Sequence, residues 1–392
     1  MKKITRKIAL LLAGMMLLLT MSACGGKSDD TVTIGYIGDL SGPDAYVGVP
    51  PQLMLEDYIE DLNANGGLMG KKVKLVAYDM AADNATESVN ITNRFINEDH
   101  VIAIIGPSSS SAAMAMAPLC DTGKVPFIAT SATNEKVTVD ESGTLHPYAF
   151  RVCFIDPYQG KAAADYAYNE MGIRSVGMIE ELGSTYSQNI CDYFQTEFTA
   201  LGGTIVDRIG VQHDDVEFRA QLTNMGNSGA EALFAPFGTY KIPSYLANQA
   251  ADLGLKFQFI FSDSVYDDAL LDVAGSNLEG AILTNGIYAD NPAYDQYKTE
   301  FSQKHSDWAA NMYVFYAYDA MDLLVWAVNQ AQSTDPTAIR DALESAKDVA
   351  LYTDEHFTMD PATHNPLNKM VAIIGVENGK FHLVDSFYPD AQ

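Results

Sequence analysis

The 392-residue sequence has few basic residues and few cysteines. Its 24 lysines and arginines stand against 51 aspartates and glutamates, so the formal net charge is −27. A chain this acidic is repelled by nucleic acid and by anionic membrane surfaces, and we expect neither as a binding partner. The four cysteines form no CxxC pair and the seven histidines form no HExxH motif. We therefore expect no metal site and no cofactor.

The motifs of common catalytic sites are also missing. There is no GxSxG nucleophile elbow. The stretch from Gly66 to Lys72 is only superficially similar to a phosphate-binding loop, because it lacks the first glycine and the final serine or threonine. We expect Cys120, Cys153 and Cys191 to pack as small hydrophobic residues. The sequence leaves open whether two of them form a disulfide. We predict that the protein is not an enzyme.

The only long apolar run of the sequence lies at the N-terminus. Four basic residues precede the run from Ile8 to Leu19, and small residues lead from it to Cys24. This arrangement resembles a bacterial lipoprotein signal, which implies that residues 1–23 are removed and that Cys24 carries lipid. Residues 24–30 would form a tether, and loss of the four basic residues would lower the net charge to −31. We expect an extracytoplasmic protein, lipid-anchored at the outer face of the cytoplasmic membrane or periplasmic, whose only membrane attachment is the lipid.

From Thr31 onward, short apolar strands alternate with amphipathic helices. The pattern restarts near Phe150, which indicates two successive α/β units. Such alternation predicts parallel sheets covered by helices on both faces. Long helical segments follow Asn285, and two strand-like segments around Asn378-Gly379 end the chain. About 360 residues after the predicted cleavage suit two domains rather than one.

Four consecutive serines, 108–111, mark the candidate binding site. They follow an apolar run from Val101 to Ile105 and a break at Gly106-Pro107, and they precede an alanine-rich helix. A helix start offers unpaired backbone N–H groups and a positive dipole end, and serine hydroxyls add donors. Open α/β sheets bind ligands beyond the carboxyl ends of their strands. We predict a receptor for a carboxylate here; N-capping is the alternative for one or two of the serines.

Short motifs along the chain occur in an order typical of one protein family. They are Leu40-Ser41-Gly42, Asn63-Ala64-Asn65-Gly66-Gly67, Tyr78-Asp79, Ile105-Gly106 with Ser110, Ala132-Thr133-Asn134, Phe150-Arg151 and Tyr318-Asp319-Ala320. In this order and spacing the sequence resembles the solute-binding lipoproteins of ABC importers, in the branched-chain amino acid (leucine/isoleucine/valine-binding) cluster. The resemblance extends over essentially the whole chain after the predicted signal.

The resemblance implies the α/β fold of type I periplasmic binding proteins. Two Rossmann-like lobes would enclose a ligand cleft and be joined by three hinge crossovers. Lobe 1 would comprise residues 31–153 plus 286–355, and lobe 2 would comprise residues 154–285 plus 356–392. The implied function is capture of a small zwitterion, an amino acid of branched-chain or aliphatic type, by lobe closure and delivery to the membrane permease subunits. The protein would act as a monomer.

The resemblance also implies how the charged ends of the ligand are held. Ser110 and Thr133 would bind the α-carboxylate. The carbonyl of Ser131 and the carboxylate of Asp263 would bind the α-ammonium, although relatives often have the longer glutamate at the latter position. Two alternatives remain open: Thr133 could simply start a turn, and Asp263 could be a solvated loop acid or a helix N-cap.

Four further positions are carried over from the family in the same way. Tyr186 and Tyr240 match ligand-facing tyrosines, although either could be an ordinary packed tyrosine. Tyr46 or Val47 would lie against the ligand side chain, and Ser109 stands where some relatives have a cysteine. The second candidate function is that of a lipoprotein sensor, which presents a small carboxylate or amide to a membrane receptor.

Overall fold

The computed structural model describes residues 31–81 and 84–388. The predicted signal peptide and tether, including Cys24, lie outside the described residues. Among the helices of the described residues, none has the length and apolar character needed to cross a bilayer.

The first part of the described chain alternates strand and helix, as the sequence predicts. Its strands are β1 (Thr31–Gly38), β2 (Lys72–Asp79), β3 (Ala103–Ile105), β4 (Phe127–Ala129) and β5 (Ala149–Arg151). Its helices are α1 (Ala45–Ala64), α2 (Ala85–Arg94) and α3 (Ser110–Gly123). The strands pair in parallel in the order β2-β1-β3-β4-β5. The central strand β3 is fully buried, as expected for an apolar strand covered on both faces.

The second part repeats this plan. Its strands are β6 (Ser175–Glu181), β7 (Thr204–Val211), β8 (Ala232–Phe234), β9 (Gln258–Phe261) and β10 (Ile282–Asn285). Its helices are α4 (Asp156–Asp165), α5 (Thr185–Ala200), α6 (Arg219–Asn227), α7 (Lys241–Asp252) and α8 (Asp268–Ala274). The short helix α8 was not predicted from the sequence. Its seven residues are too few for a clear amphipathic period.

Three helices then return to the first sheet. They are α9 (Asp295–Lys304), α10 (Met312–Ala331) and α11 (Pro336–Glu344). Helix α10 packs against α1 and β3, and the hydroxyl of Tyr58 on α1 donates to Asp322 on α10 at 2.8 Å. The predicted return of these helices to the side of the first sheet is therefore observed.

The last four strands form a separate pair and the edge of the second sheet. They are β11 (Thr358–Met359), β12 (Pro366–Leu367), β13 (Val371–Glu377) and β14 (Lys380–Phe387). Strands β11 and β12 pair with each other, whereas β13 pairs antiparallel with β10 and β14 with β13. The second sheet has the order β14-β13-β10-β9-β8-β6-β7. Asn378 and Gly379 both have positive φ at the β13–β14 turn, which is the hairpin chemistry expected for Asn-Gly.

The chain passes between the two sheets three times, after β5, after β10 and before β13. The α/β fold with two helix-covered sheets is thus confirmed, and below we call the body around the first sheet lobe 1 and the body around the second lobe 2. The predicted sequence limits of the lobes stay a prediction. In the core of lobe 2, Phe194 stacks on Phe234 at 4.0 Å between ring centroids and on Phe198 at 5.4 Å.

Candidate ligand-binding site

A cavity lies between the lobes at the carboxyl ends of their strands. It has about 600 Å³ of empty volume, part of it open to solvent. Lobe 1 contributes Ser109, Ser110 and Ser131 to its lining, and lobe 2 contributes Ser184 and Tyr186. The position agrees with the rule that open parallel sheets bind ligands beyond their carboxyl edges.

The serine run divides into a cap and a hydrogen-bonding position. Ser109 is the N-cap of α3, and its hydroxyl oxygen accepts from the backbone N–H of Ala112 at 3.1 Å. Ser110 is the first residue of the helix, and its hydroxyl oxygen accepts from the backbone N–H of Asn134 at 3.2 Å. A hydroxyl that accepts can still donate its own proton, so Ser110 keeps a donor for a ligand. The sequence left N-capping open as an alternative for some of the serines, and Ser109 is observed in that role.

The approach of this helix to β1 requires a glycine. Gly106 has φ +92, and a Cβ there would meet the carbonyl oxygen of Ile37. A side chain at this position would push the turn off the sheet, so glycine lets the chain bend directly from β3 to the helix start.

The loop after β4 carries Ser131 and Thr133. A buried arginine holds this loop, since the guanidinium of Arg151 donates to the carbonyls of Ala132 and Asn134, each at 2.7 Å. Thr133 is fully buried and does not line the cavity, and its hydroxyl has no hydrogen-bond partner in the described part of the chain. Ser131 does line the cavity.

Asp263 and Tyr186 form a buried pair in lobe 2. The Tyr186 hydroxyl donates to Oδ1 of Asp263 at 2.5 Å, while Oδ2 has no hydrogen-bond partner among the described residues. Burial raises the pKa of Asp263 to about 6, although the Tyr186 hydrogen bond acts in the opposite direction. Asp263 is fully buried and opens a short turn whose N-cap is Ser262. The alternatives of a solvated loop acid and of an N-cap are therefore wrong.

Three tyrosine rings stand together beside the cavity. Tyr46 lies 5.1 Å from Tyr240 and 6.4 Å from Tyr313, between ring centroids. Tyr313 and Val47 line the cavity, whereas Tyr46 and Tyr240 do not. Because Tyr240 belongs to lobe 2 and Tyr46 to lobe 1, their contact joins the two lobes. The hydroxyl of Tyr313 donates to the carbonyl of Ser264 at 3.2 Å, which is a second such contact.

Of the predicted site residues, the cavity lining contains Ser109, Ser110, Ser131 and Tyr186. Thr133, Asp263, Tyr46 and Tyr240 are close in sequence to lining residues but are not themselves exposed to the cavity; their ligand contacts stay predictions.

Sequence reasoning missed several lining residues, among them Asp44, Glu181, His213 and Tyr313. The first three follow or end the strands β1, β6 and β7, so the strand-end rule could have found them. Tyr313 lies near the start of a long apolar helix, where nothing in the sequence distinguishes it from a core residue.

Direct contacts close the lobes around the cavity. The hydroxyls of Ser111 and Thr185 are 3.1 Å apart. Glu135 in lobe 1 accepts from Asn189 at 2.7 Å and from Tyr193 at 2.9 Å, both on α5 of lobe 2. The structure therefore shows lobe 1 in direct contact with α5 of lobe 2 beside the cavity. Residues 31–81 and 84–388 contain no group of three or more His, Cys, Asp or Glu side chains able to hold a metal ion.

Two α/β lobes closed over a cavity at their strand ends define a two-lobed ligand-binding protein. The family model for periplasmic binding proteins matches residues 31–380, and the chain belongs to this family. The family predicted from the sequence motifs is thereby confirmed. Its members are extracytoplasmic solute-binding proteins, and this chain is one of them.

Individual relatives support the same assignment. An amino acid binding protein of Pseudomonas aeruginosa is 29% identical over 317 residues, which cover 80% of this chain and 82% of that protein. The Leu/Ile/Val-binding protein homolog 2 of Brucella abortus is 27% identical over 329 residues, which cover 83% of this chain and 86% of that protein. The crystal structure of the leucine binding protein LivK from Thermotoga maritima superimposes with a TM-score of 0.81 at 26% identity, covering 91% of this chain and 99% of that chain.

Proposed function

We propose that this protein captures a free amino acid of branched-chain or aliphatic type and delivers it to an ABC permease in the membrane. The observation that carries the proposal is that Ser110 of lobe 1 lines the cavity opposite Tyr186 of lobe 2, whose hydroxyl bonds the buried carboxylate of Asp263. A helix start with a hydroxyl donor lies in lobe 1, and a buried carboxylate lies in lobe 2. The names of the relatives, which include amino acid and Leu/Ile/Val-binding proteins, support the same ligand class.

The carboxylate end of the ligand is assigned to lobe 1. Ser110 lines the cavity, and its hydroxyl is already oriented by the Asn134 backbone N–H. The first backbone N–H groups of α3 add donors and the positive end of the dipole. Thr133 is the second hydroxyl in this assignment, as the family resemblance implies, and it lies two residues after the cavity-lining Ser131.

The ammonium end is assigned to Asp263, with the carbonyl of Ser131 from the facing lobe. Oδ2 of Asp263 is a buried acceptor with no partner, and a buried carboxylate is costly unless a charge or hydrogen bond pairs it. A ligand ammonium supplies that charge. Tyr186, which lines the cavity and holds Oδ1, fixes the orientation of the carboxylate. Val47, with Tyr46 and Tyr240 behind it, forms the wall proposed for the ligand side chain.

The remaining sequence predictions belong to the same proposal. Lobe 1 comprises residues 31–153 plus 286–355 and lobe 2 comprises residues 154–285 plus 356–392, so that the three crossovers act as hinges. Cys24 carries the lipid anchor, the protein acts as a monomer, and it carries out no chemistry on its ligand. A sensor that presents a ligand to a receptor is the alternative; growth and uptake assays in a deletion strain separate transport from sensing.

A thermal-shift screen tests the ligand class. The panel contains the twenty amino acids, their amides and small carboxylates that lack an amino group. A ligand that binds only the folded protein raises the melting temperature in proportion to the logarithm of its concentration. We expect leucine, isoleucine or valine to give the largest shifts. Larger shifts with a carboxylate that lacks an ammonium group would contradict the amino acid assignment.

A further inference from the structure

Asp44 of lobe 1 is held by two basic side chains of lobe 2. It lies in the turn between β1 and α1, and its side chain is buried. Nζ of Lys241, the first residue of α7, contacts Oδ1 of Asp44, and Nε2 of His213 lies 3.6 Å from Oδ2. One buried carboxylate therefore receives two cationic groups from the opposite lobe.

The other ring nitrogen of His213 faces a second carboxylate. Nδ1 lies 2.8 Å from Oε1 of Glu181, the last residue of β6. A neutral imidazole can donate from only one nitrogen, so two flanking carboxylates favour the imidazolium form. The carboxylates of Asp44 and Glu181 raise the pKa of His213 to about 10, against a smaller opposing effect of burial. Burial raises the pKa of Asp44, but its bonds to His213 and Lys241 outweigh this and lower it.

These groups belong to the wall of the ligand cavity. Asp44, Glu181 and His213 line it together with Asp39. The loop after β7 carries two further acids: Asp214 follows His213 directly, and Asp215 accepts from the backbone N–H of Gln212. Any separation of the lobes removes Asp44 from both cations, whereas Glu181 stays beside His213 because both belong to lobe 2.

We propose that Asp44, Lys241 and His213 form an ion bridge that holds the cleft closed over the ligand, and that His213 takes up a proton as the lobes close. The proposal rests on the proposed function and adds the regulation of the same site. The bridge exists only in the closed form, so its whole free energy favours closure. Ligand binding, lobe closure and protonation are then one linked equilibrium.

The sign of the pH effect follows from the partners of His213. At pH values below its ordinary pKa, His213 is charged in both forms and the bridge is fully available. As the pH rises, the open form loses the proton first, and closure must take a proton up. The contribution of His213 to closure is lost when the pH passes about 10. Affinity should therefore fall between neutral and strongly alkaline pH.

A scattering experiment on the ligand-free chain tests the bridge without reference to any ligand. We expect a smaller radius of gyration at pH 6 than at pH 10 in the wild type, and a radius independent of this pH change in Asp44→Asn. The matched control is Asp252→Asn, which breaks the Arg219–Asp252 ion pair of 2.9 Å within lobe 2 and should behave as wild type. Unchanged melting temperatures of the ligand-free variants show that they are folded.

Calorimetry with L-leucine as the probe tests the coupling. Repeating the titration at pH 8 in buffers of different ionisation enthalpy gives the number of protons taken up per ligand. We expect uptake in the wild type, none in His213→Gln, and an affinity about 5- to 150-fold weaker in Asp44→Asn, the usual range of coupling between sites. Equal affinity and equal proton uptake in all three proteins overturn the proposal. If leucine binds none of them while the radius still responds to pH and to Asp44, the proposed ligand class is wrong and the bridge stands.

Discussion

The hydroxyl of Tyr186 donates a 2.5 Å hydrogen bond to the carboxylate of Asp263, and both side chains are buried in lobe 2. Only one carboxylate oxygen is used in this bond, so the other remains an unpaired acceptor. Tyr186 lines the cavity and Asp263 stands directly behind it. The pair thus places a negative charge where the facing lobe offers serine hydroxyls and a helix start.

Replacing Asp263 by alanine should abolish most of the amino acid affinity. Loss of one partner of a buried ion pair costs about 3–5 kcal/mol, which corresponds to roughly two to four decades in the dissociation constant. Calorimetry measures the change. Asp322→Ala is the matched control, because Asp322 also accepts from a tyrosine but lies between α1 and α10. Wild-type affinity in Asp263→Ala would place the ammonium site elsewhere.

Amino acid binding should weaken as the pH falls below about 6. The pKa of Asp263 is raised to about 6 by burial, and only the ionised carboxylate can pair with an ammonium. The dissociation constant should then rise by up to about tenfold for each further unit by which the pH falls. Titrations between pH 7.5 and 4.5 measure this slope. The same slope in Asp263→Asn would show that a different group titrates.

Ser110→Ala should weaken binding less than Asp263→Ala does. Loss of one hydrogen bond to a charged group costs about 1.5–3 kcal/mol, and the backbone N–H groups at the start of α3 remain. Calorimetry on both variants gives the order of effects. Ser345→Ala, at the exposed end of α11, serves as the control for serine removal. A larger loss of affinity in Ser110→Ala than in Asp263→Ala would mean that the carboxylate end of the ligand contributes more to binding than the ammonium end.

Ligand should bring the lobes closer together in solution. Periplasmic binding proteins close by hinge motion, and here the chain crosses between the sheets three times. The radius of gyration from small-angle scattering should decrease with saturating ligand. An unchanged radius, with binding shown by calorimetry, would mean that the ligand-free protein is already closed.

Replacing Cys24 by alanine should release the protein from the membrane or leave an unprocessed precursor. A lipid attached to the thiol is the only membrane attachment that we propose. Membrane fractionation and the mass of the mature N-terminus measure the outcome. Full retention of the Cys24→Ala protein in the membrane fraction would exclude the anchor.

The sequence placed the serine-rich helix start at the cavity because the signals there are local. A β-strand, a Gly-Pro break and a serine-rich helix start are all encoded within a few residues, and Ser109 and Ser110 lie at the cavity as expected. The role of Ser109 as a cap was among the alternatives, because capping is also a local interaction. The charged group of Asp44, His213 and Lys241 could not be found in this way. Asp44 lies 197 residues before Lys241 along the chain, and its charge meets those of His213 and Lys241 only across the closed cleft.

The sequence alone determined the two α/β units and the strand–helix order, because apolar periodicity and turn residues act over short distances. Its short motifs, in their order and spacing, indicated the family. Only the tertiary structure decided that Asp263 is buried against Tyr186, that Tyr313 reaches the cavity, and that Lys241 meets Asp44. Burial and ion pairing depend on which distant segments pack together, within lobe 2 for Asp263 and Tyr186 and across the cleft for Lys241 and Asp44. No local sequence pattern records these contacts, because the partners are far apart along the chain.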